Sequence, residues 1–198
     1  MNIEINNKKI IVHNLTRRGF SIGEVMLSVF ILGVAMVTIL SLYSNSLRYL
    51  FDERDSVIAS MLAQEGVELA RNIRDNNWAD RSSVTDVTPM AFDNFGSSPS
   101  NNCNVDINST SISCGVADKK LYINGSNFYV HSGGTLTKFS RRMTLDFNNT
   151  DASDSSSVTV TSLVTWNYSG PPGSKNDCTI ENKCVFSESI LTDWGSGT

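Results

Sequence analysis

Arg17-Arg18-Gly19-Phe20-Ser21-Ile22-Gly23-Glu24, followed by the uncharged run Val25 to Leu42, decides how this chain is organised. As a helix, that eighteen-residue run rises about 27 Å, close to the roughly 30 Å hydrocarbon thickness of a bilayer. Residues from about 25 to 43 therefore read as a membrane span. Glu24 stands at its entrance. A carboxylate inside a span costs roughly 2.5 to 3.5 kcal/mol near the centre and less near an end, so an acid here is retained for a purpose and needs a cationic partner. Lys8, Lys9, Arg17 and Arg18 all precede the span, and no basic residue follows until Arg48. That asymmetry puts the N-terminus in the cytoplasm and the remainder outside.

An Arg-Arg-Gly19 leader end, then Phe20-Ser-Ile-Gly-Glu24, then an apolar helix resembles the type III signal of type IV prepilins and type II secretion pseudopilins. The resemblance covers Arg17 to about Trp78. It implies that a prepilin peptidase cuts between Gly19 and Phe20 on the cytoplasmic side and that the new N-terminal Phe20 is methylated. It also implies that Glu24 pairs with the N-terminal amine of a neighbouring subunit during fibre assembly. The expected division is a leader over 1–19, a spine helix over 20–78 and an extracytoplasmic head over 79–198. The expected partners are the peptidase, other pilin or pseudopilin subunits and inner-membrane lipid. The destination is the inner membrane, then a cell-surface or periplasmic filament. Two other readings of the same segment are an ordinary signal anchor and a signal peptide cleaved after Ser46, where Ser44 and Ser46 form a weak small-x-small site; the apolar run is longer than the usual 7 to 15 residue signal core.

Formal net charge is −4, and removing Met1 to Gly19 leaves 12 basic against 19 acidic residues, a net of −7. Such a surface opposes nucleic-acid binding, which needs clustered Lys and Arg to displace phosphate counterions. Cys103, Cys114, Cys178 and Cys184 all fall on the outer side of the span, where an even count favours disulfides. Three connectivities are open. Short loops favour Cys103 with Cys114 and Cys178 with Cys184, and the spacings do not suit the Cys-x-x-Cys pairs of structural zinc sites.

Past Leu42 the pattern becomes one-sided: Leu47, Leu50, Phe51, Ile58, Leu62, Leu69 and Ile73 recur at three- and four-residue steps among charged residues. With no proline between Phe20 and Trp78, the two halves can form one helix, and Asn76-Asn77 suit its stop. Many major pilins carry a proline where this chain has Ser41, so a proline kink is not expected there; the segment Ala63 to Trp78 resembles the end of the spine helix in some minor pilins and minor pseudopilins. Residues 79 to 117, rich in Ser, Asn and Thr, read as a long connecting loop pinned by its cysteines. Strand signals follow. Asn124-Gly125 sits between Leu121–Ile123 and Ser126–Val130 as a short hairpin. Phe139 to Phe147 and Val158 to Tyr168 alternate as half-buried strands, and Val185 to Trp194 places Phe186, Ile190 and Trp194 on one face.

A long helix followed by an antiparallel sheet is an α+β arrangement, here pilin-like. No catalytic constellation is visible and no cofactor is expected, so the chain does not read as an enzyme. His131 reads as a solvated turn residue. Asp146, Asn148, Asn149, Asp151 and Asp154 crowd one loop but lack the spacing and glycine of an EF-hand. The function expected is that of a structural filament subunit; the alternative is a membrane-anchored binding or sensing domain that never polymerises.

Overall fold

A computed structural model of the chain describes residues 19–81, 91–96, 100–116, 119–149 and 155–193. Residues 1–48 and 49–198 form two compact units. Helix α1 spans Ile22–Arg81 and contributes to both. In the first unit it is the sole element among the described residues, and every side chain from Gly19 to Ser46 is exposed.

In the second unit the helix turns one stripe onto a sheet. Ala59, Leu62, Ala63, Gly66, Val67, Ala70, Ile73 and Asn77 are buried at three- and four-residue steps, the period of one helical face. Four of the eight are Ala or Gly. Small residues let the backbone of the helix come close to the sheet. The approach is close at Gly66, where a Cβ would lie 2.5 Å from Ser162 Oγ and 3.3 Å from Arg141 Cδ.

The sheet contains β1 (Ser100–Asn104), β2 (Ser113–Cys114), β3 (Lys120–Ile123), β4 (Tyr129–Val130), β5 (Thr135–Phe147), β6 (Ser157–Thr165) and β7 (Cys184–Thr192). All observed pairings are antiparallel. β5 is its backbone. One edge of β5 pairs with β6, and β7 follows β6. The other edge is shared: β3 takes the first part and β1 the second, with β4 and β2 beyond them. A thirteen-residue strand is long enough to hold both.

Odd-numbered β5 residues and even-numbered β6 residues face the helix, as the period of two requires. They build two apolar clusters. One gathers Val67, Ala70 and Ile73 with Met143, Leu145, Val158, Val160 and Leu191. The other gathers Ala59, Leu62 and Ala63 with Leu121, Phe139, Val164 and Trp166. Between them lies the polar centre formed by Gly66, Ser162 and Arg141.

The α+β order stands, and four local expectations change. The helix does not stop at Asn76-Asn77; it continues to Arg81, and Asn77 is buried because its side-chain amide donates to the carbonyls of Ala91 and Asp93. The region 79–117 is more than a connecting loop: it supplies β1 and β2, and Ala91, Phe92 and Phe95 enter the core, the two rings meeting edge to face at 5.4 Å. Polar composition hid these contributions. The β3–β4 connection is not a tight two-residue turn at Asn124-Gly125. Asn124 Oδ1 accepts from the N–H groups of Ser126 and Phe128, and Asn127 adopts the left-handed conformation with φ 63°, so the side chain of Asn124 shapes a wider loop. Finally, β6 ends at Thr165 and is buried on both faces from Val160 onward. As a central strand it lies under the helix on one side and is also covered on the other. Trp194 lies outside the described residues, whereas Phe186 and Ile190 do share one exposed face of β7.

Candidate functional site: the exposed apolar helix and the ties of the head

Gly19, Phe20 and Ser21 are non-helical and exposed. Ser21 opens α1, its carbonyl accepting from the N–H groups of Glu24 (3.0 Å) and Val25 (3.2 Å). Glu24 therefore sits in the first turn, where the unpaired N–H groups of the helix favour a negative charge. Among the described residues its carboxylate has no hydrogen-bond or ion-pair partner. A Cβ on Gly19 would meet nothing within 4 Å, so local packing does not account for that glycine. Arg17 and Arg18 lie outside the described residues.

Downstream, Phe30, Ile31, Leu32, Val37 and Ile39 are between 59% and 68% exposed. The segment is long and apolar enough to cross a membrane, with a mean hydropathy of 2.6 over its best window. Two of its hydroxyls bond within the helix: Ser28 Oγ donates to the Glu24 carbonyl and Thr38 Oγ1 to the Ala35 carbonyl, both at 2.7 Å. Such back-bonding removes the cost of placing a hydroxyl in hydrocarbon. What remains is a continuous apolar surface that only lipid or another apolar surface can cover.

The head holds its part of α1 through polar ties. Asp52 accepts from Trp166 Nε1 and Lys183 Nζ, both at 3.0 Å, and these bonds hold its carboxyl below the usual range. Asp55 pairs with Lys138. Deeper in, the guanidinium of Arg141 is completely buried; it donates to the carbonyls of Leu62 (3.3 Å) and Val105 (2.7 Å) and to Glu65 (3.3 Å). Burial pushes Arg141 down from its ordinary value, while Glu65 and Asp106 oppose that shift. Arg141 holds an inward-facing position of β5, which the alternation around it already marks; the residues it binds on α1 and near β1 are distant in sequence and gave no such signal.

His131 is not a solvated turn residue. It is 7% exposed, and its Nδ1 lies 2.6 Å from Asp106 Oδ1 while its backbone N–H donates to the same carboxylate. Burial works against ionisation of Asp106, but the bonds from His131 prevail and hold the carboxyl low. The pair clasps the Asp106 loop to the end of β4, and the Ser109 hydroxyl accepts from the Asp106 N–H at 3.2 Å.

Cys103 and Cys114 form a disulfide across opposed positions of β1 and β2, and Cys178 and Cys184 close the loop before β7. Asp146, Asn148 and Asn149 are exposed; Asp151 and Asp154 lie outside the described residues. Among the described residues no group of three or more His, Cys, Asp or Glu side chains is placed to hold a metal ion. No family model, curated protein or solved structure matches the chain.

Proposed function

We propose that this chain is a pilin-like structural subunit, of the minor pilin or pseudopilin kind, held in the inner membrane by α1 and assembled into a filament through the same helix. The observation that carries the reading is the apolar surface of 22–46, fully exposed, with Glu24 in its first turn and the Gly19-Phe20 junction immediately before it. Lipid covers this surface before assembly. Neighbouring helices cover it afterwards. Glu24 then meets the amine of a neighbour's Phe20, so that each buried charge compensates the other and fixes how far one subunit rises past the next.

N-terminal sequencing of membrane-extracted protein from cells with an active prepilin peptidase tests this directly. The expected mature chain begins at Phe20 and carries an added methyl group on its amine. A chain beginning at Leu47, or an intact leader, would overturn the reading in favour of a secreted or simply anchored domain.

A further inference from the structure

The outer face of the sheet, turned away from α1, carries a buried cation that nothing answers. On that face the ladders align three rows: Ser140, Thr165 and Cys184; Arg142, Leu163 and Phe186; Thr144, Thr161 and Glu188. The segment from Ser169 to Lys175 crosses them as a strap. One end is fixed on the first row, where the Thr165 hydroxyl donates to the Ser169 carbonyl at 2.7 Å. The other end is fixed on the third, where Lys175 Nζ donates to Glu188 at 2.6 Å and the Thr161 hydroxyl donates to the same carboxylate at 2.8 Å. Arg142 lies in the row between. Pro171 is buried in the middle of the strap, and Leu163, opposite Arg142, is 1% exposed.

Arg142 itself is 4% exposed. Its Nε and Nη2 are fully enclosed, and among the described residues no hydrogen-bond acceptor reaches them. Those two nitrogens form one side of the guanidinium fork, the side that can receive two oxygens of an anion at once. An enclosed charge without a counter-charge is among the costliest groups a fold can contain. Arg141, the next residue, shows the contrast: buried on the opposite face, it donates to two carbonyls and to Glu65.

Lys119 brings a second positive charge to the same place. Its carbonyl accepts from the Arg141 N–H at 2.7 Å, which sets it beside β5, and a Cβ on Gly170 of the strap would lie 3.8 Å from its Cδ. Burial pushes the Lys119 ammonium down from its ordinary value, and the charge of Arg142 pushes it further. Burial pushes Arg142 down as well. No carboxylate opposes either shift. The strap carries no acid between Ser169 and Lys175, and Glu188 is already engaged by Lys175 and Thr161.

We infer that Arg142 and Lys119 hold a phosphate dianion beneath the Ser169–Lys175 strap, at a binding site separate from the apolar surface of α1. Two cations match the double charge of inorganic phosphate or of a phosphomonoester, whereas a carboxylate would answer only one. The planar fork of Arg142 takes two of its oxygens, and the flexible ammonium of Lys119 takes a third. Beyond Gly19 the chain has 12 basic against 19 acidic residues, so its overall field repels anions and the attraction is confined to this pair.

The test is equilibrium dialysis of the full chain, in detergent micelles at mildly alkaline pH and fixed ionic strength, against radiolabelled inorganic phosphate. The expected result is one saturable phosphate per chain, together with a rise in the thermal unfolding midpoint as phosphate is added, since the ligand binds only the folded state. Arg142→Met keeps the apolar stem and removes the charge, so it should bind at least about tenfold more weakly. Without phosphate it should unfold at or above the parent midpoint, because an unanswered charge has gone. Lys119→Met should weaken binding about fivefold. Arg54→Met, which removes an exposed charge from α1, should bind as the parent does. Displacement of the label by glycerol 3-phosphate would assign the site to phosphomonoester groups, and displacement by inorganic phosphate alone would assign it to the free ion. Absence of saturable uptake, equal displacement by acetate, undiminished uptake by Arg142→Met, or an Arg142→Met midpoint below the parent without phosphate would each overturn the inference.

Discussion

Gly66 of the helix and Ser162 of β6 come into close contact at the break between the two halves of the core. A Cβ on Gly66 would lie 2.5 Å from Ser162 Oγ and 3.1 Å from its Cβ. Glycine in a helix ordinarily weakens it by up to about 1 kcal/mol relative to alanine. Here the rank order reverses. Gly66→Ala should destabilise the head by about 1 to 3 kcal/mol through overpacking, despite its better helix propensity. Ser162→Gly in the same chain should recover part of that loss, whereas two independent sites would simply add. Denaturant unfolding followed by tryptophan fluorescence measures both.

Arg141 brings a charge into that same centre, and its stability depends on its acceptors. Arg141→Ala leaves Glu65 and the carbonyls of Leu62 and Val105 without their donor and should cost about 3 to 5 kcal/mol. Glu65 is partly exposed, with 36% of its side chain accessible. Glu65→Gln should therefore cost less, about 1 to 3 kcal/mol. A larger loss from Glu65→Gln than from Arg141→Ala, in the same unfolding experiment, would contradict this ordering.

Acid should loosen the head through three carboxylates held below their usual range: Asp52 by Trp166 and Lys183, Asp106 by His131 against the opposing effect of burial, and Glu188 by Lys175 and Thr161. Because the unfolded chain binds these protons more readily, the stabilisation is fully present above the unfolded carboxyl values of about 4 and is lost as pH falls through the lower folded values. Unfolding midpoints measured against pH should be level down to about pH 5 and then fall. Asp106→Asn should be less stable at neutral pH and show a shallower acid limb.

On the reading proposed above Glu24 acts at assembly, so Glu24→Ala should be inserted and cleaved normally, since it removes a charge from an apolar span. Its share in sheared fibres should drop at least about tenfold, because the neighbour's amine is then buried alone. Ser28→Ala, whose hydroxyl bonds only within the helix, is the matched control. Fractionation into membrane and fibre pools gives the answer, and fibre entry by Glu24→Ala at the parent level would remove the pairing mechanism.

The disulfide of Cys178 and Cys184 closes a short loop, and replacing both with serine should cost about 2 kcal/mol by restoring freedom to the unfolded chain. Non-reducing peptide mapping of the parent protein checks the connectivity first, and thermal unfolding of the double variant checks the magnitude.

The sequence showed most clearly whatever repeats with a regular period. The apolar run, the one-sided stripe of α1 and the alternation in β5, β6 and β7 all depend on side-chain spacing, and they carried the α+β order. What escaped depends on single long-range contacts. Asn77 resembles a helix stop until its amide finds Ala91 and Asp93. Phe92 and Phe95 sit in a polar stretch whose average hides them. His131 looks solvated because its partner Asp106 is twenty-five residues away. The expected processing residues, Gly19 and Phe20, were read from local motif alone.

Asp52 and Asp55 fasten α1 to the sheet at one end of the head, and Asn77 ties it to the turn at Ala91 and Asp93 at the other, with the Gly66 contact between. A pull along the helix axis therefore loads these attachments side by side rather than one after another. Parallel loading shares the tension, and the outermost tie cannot tear first and unzip the rest. In the filament proposed above, where the helix is the handle, this placement of three side chains amounts to strain relief, as a cable is clamped on both sides of its connector.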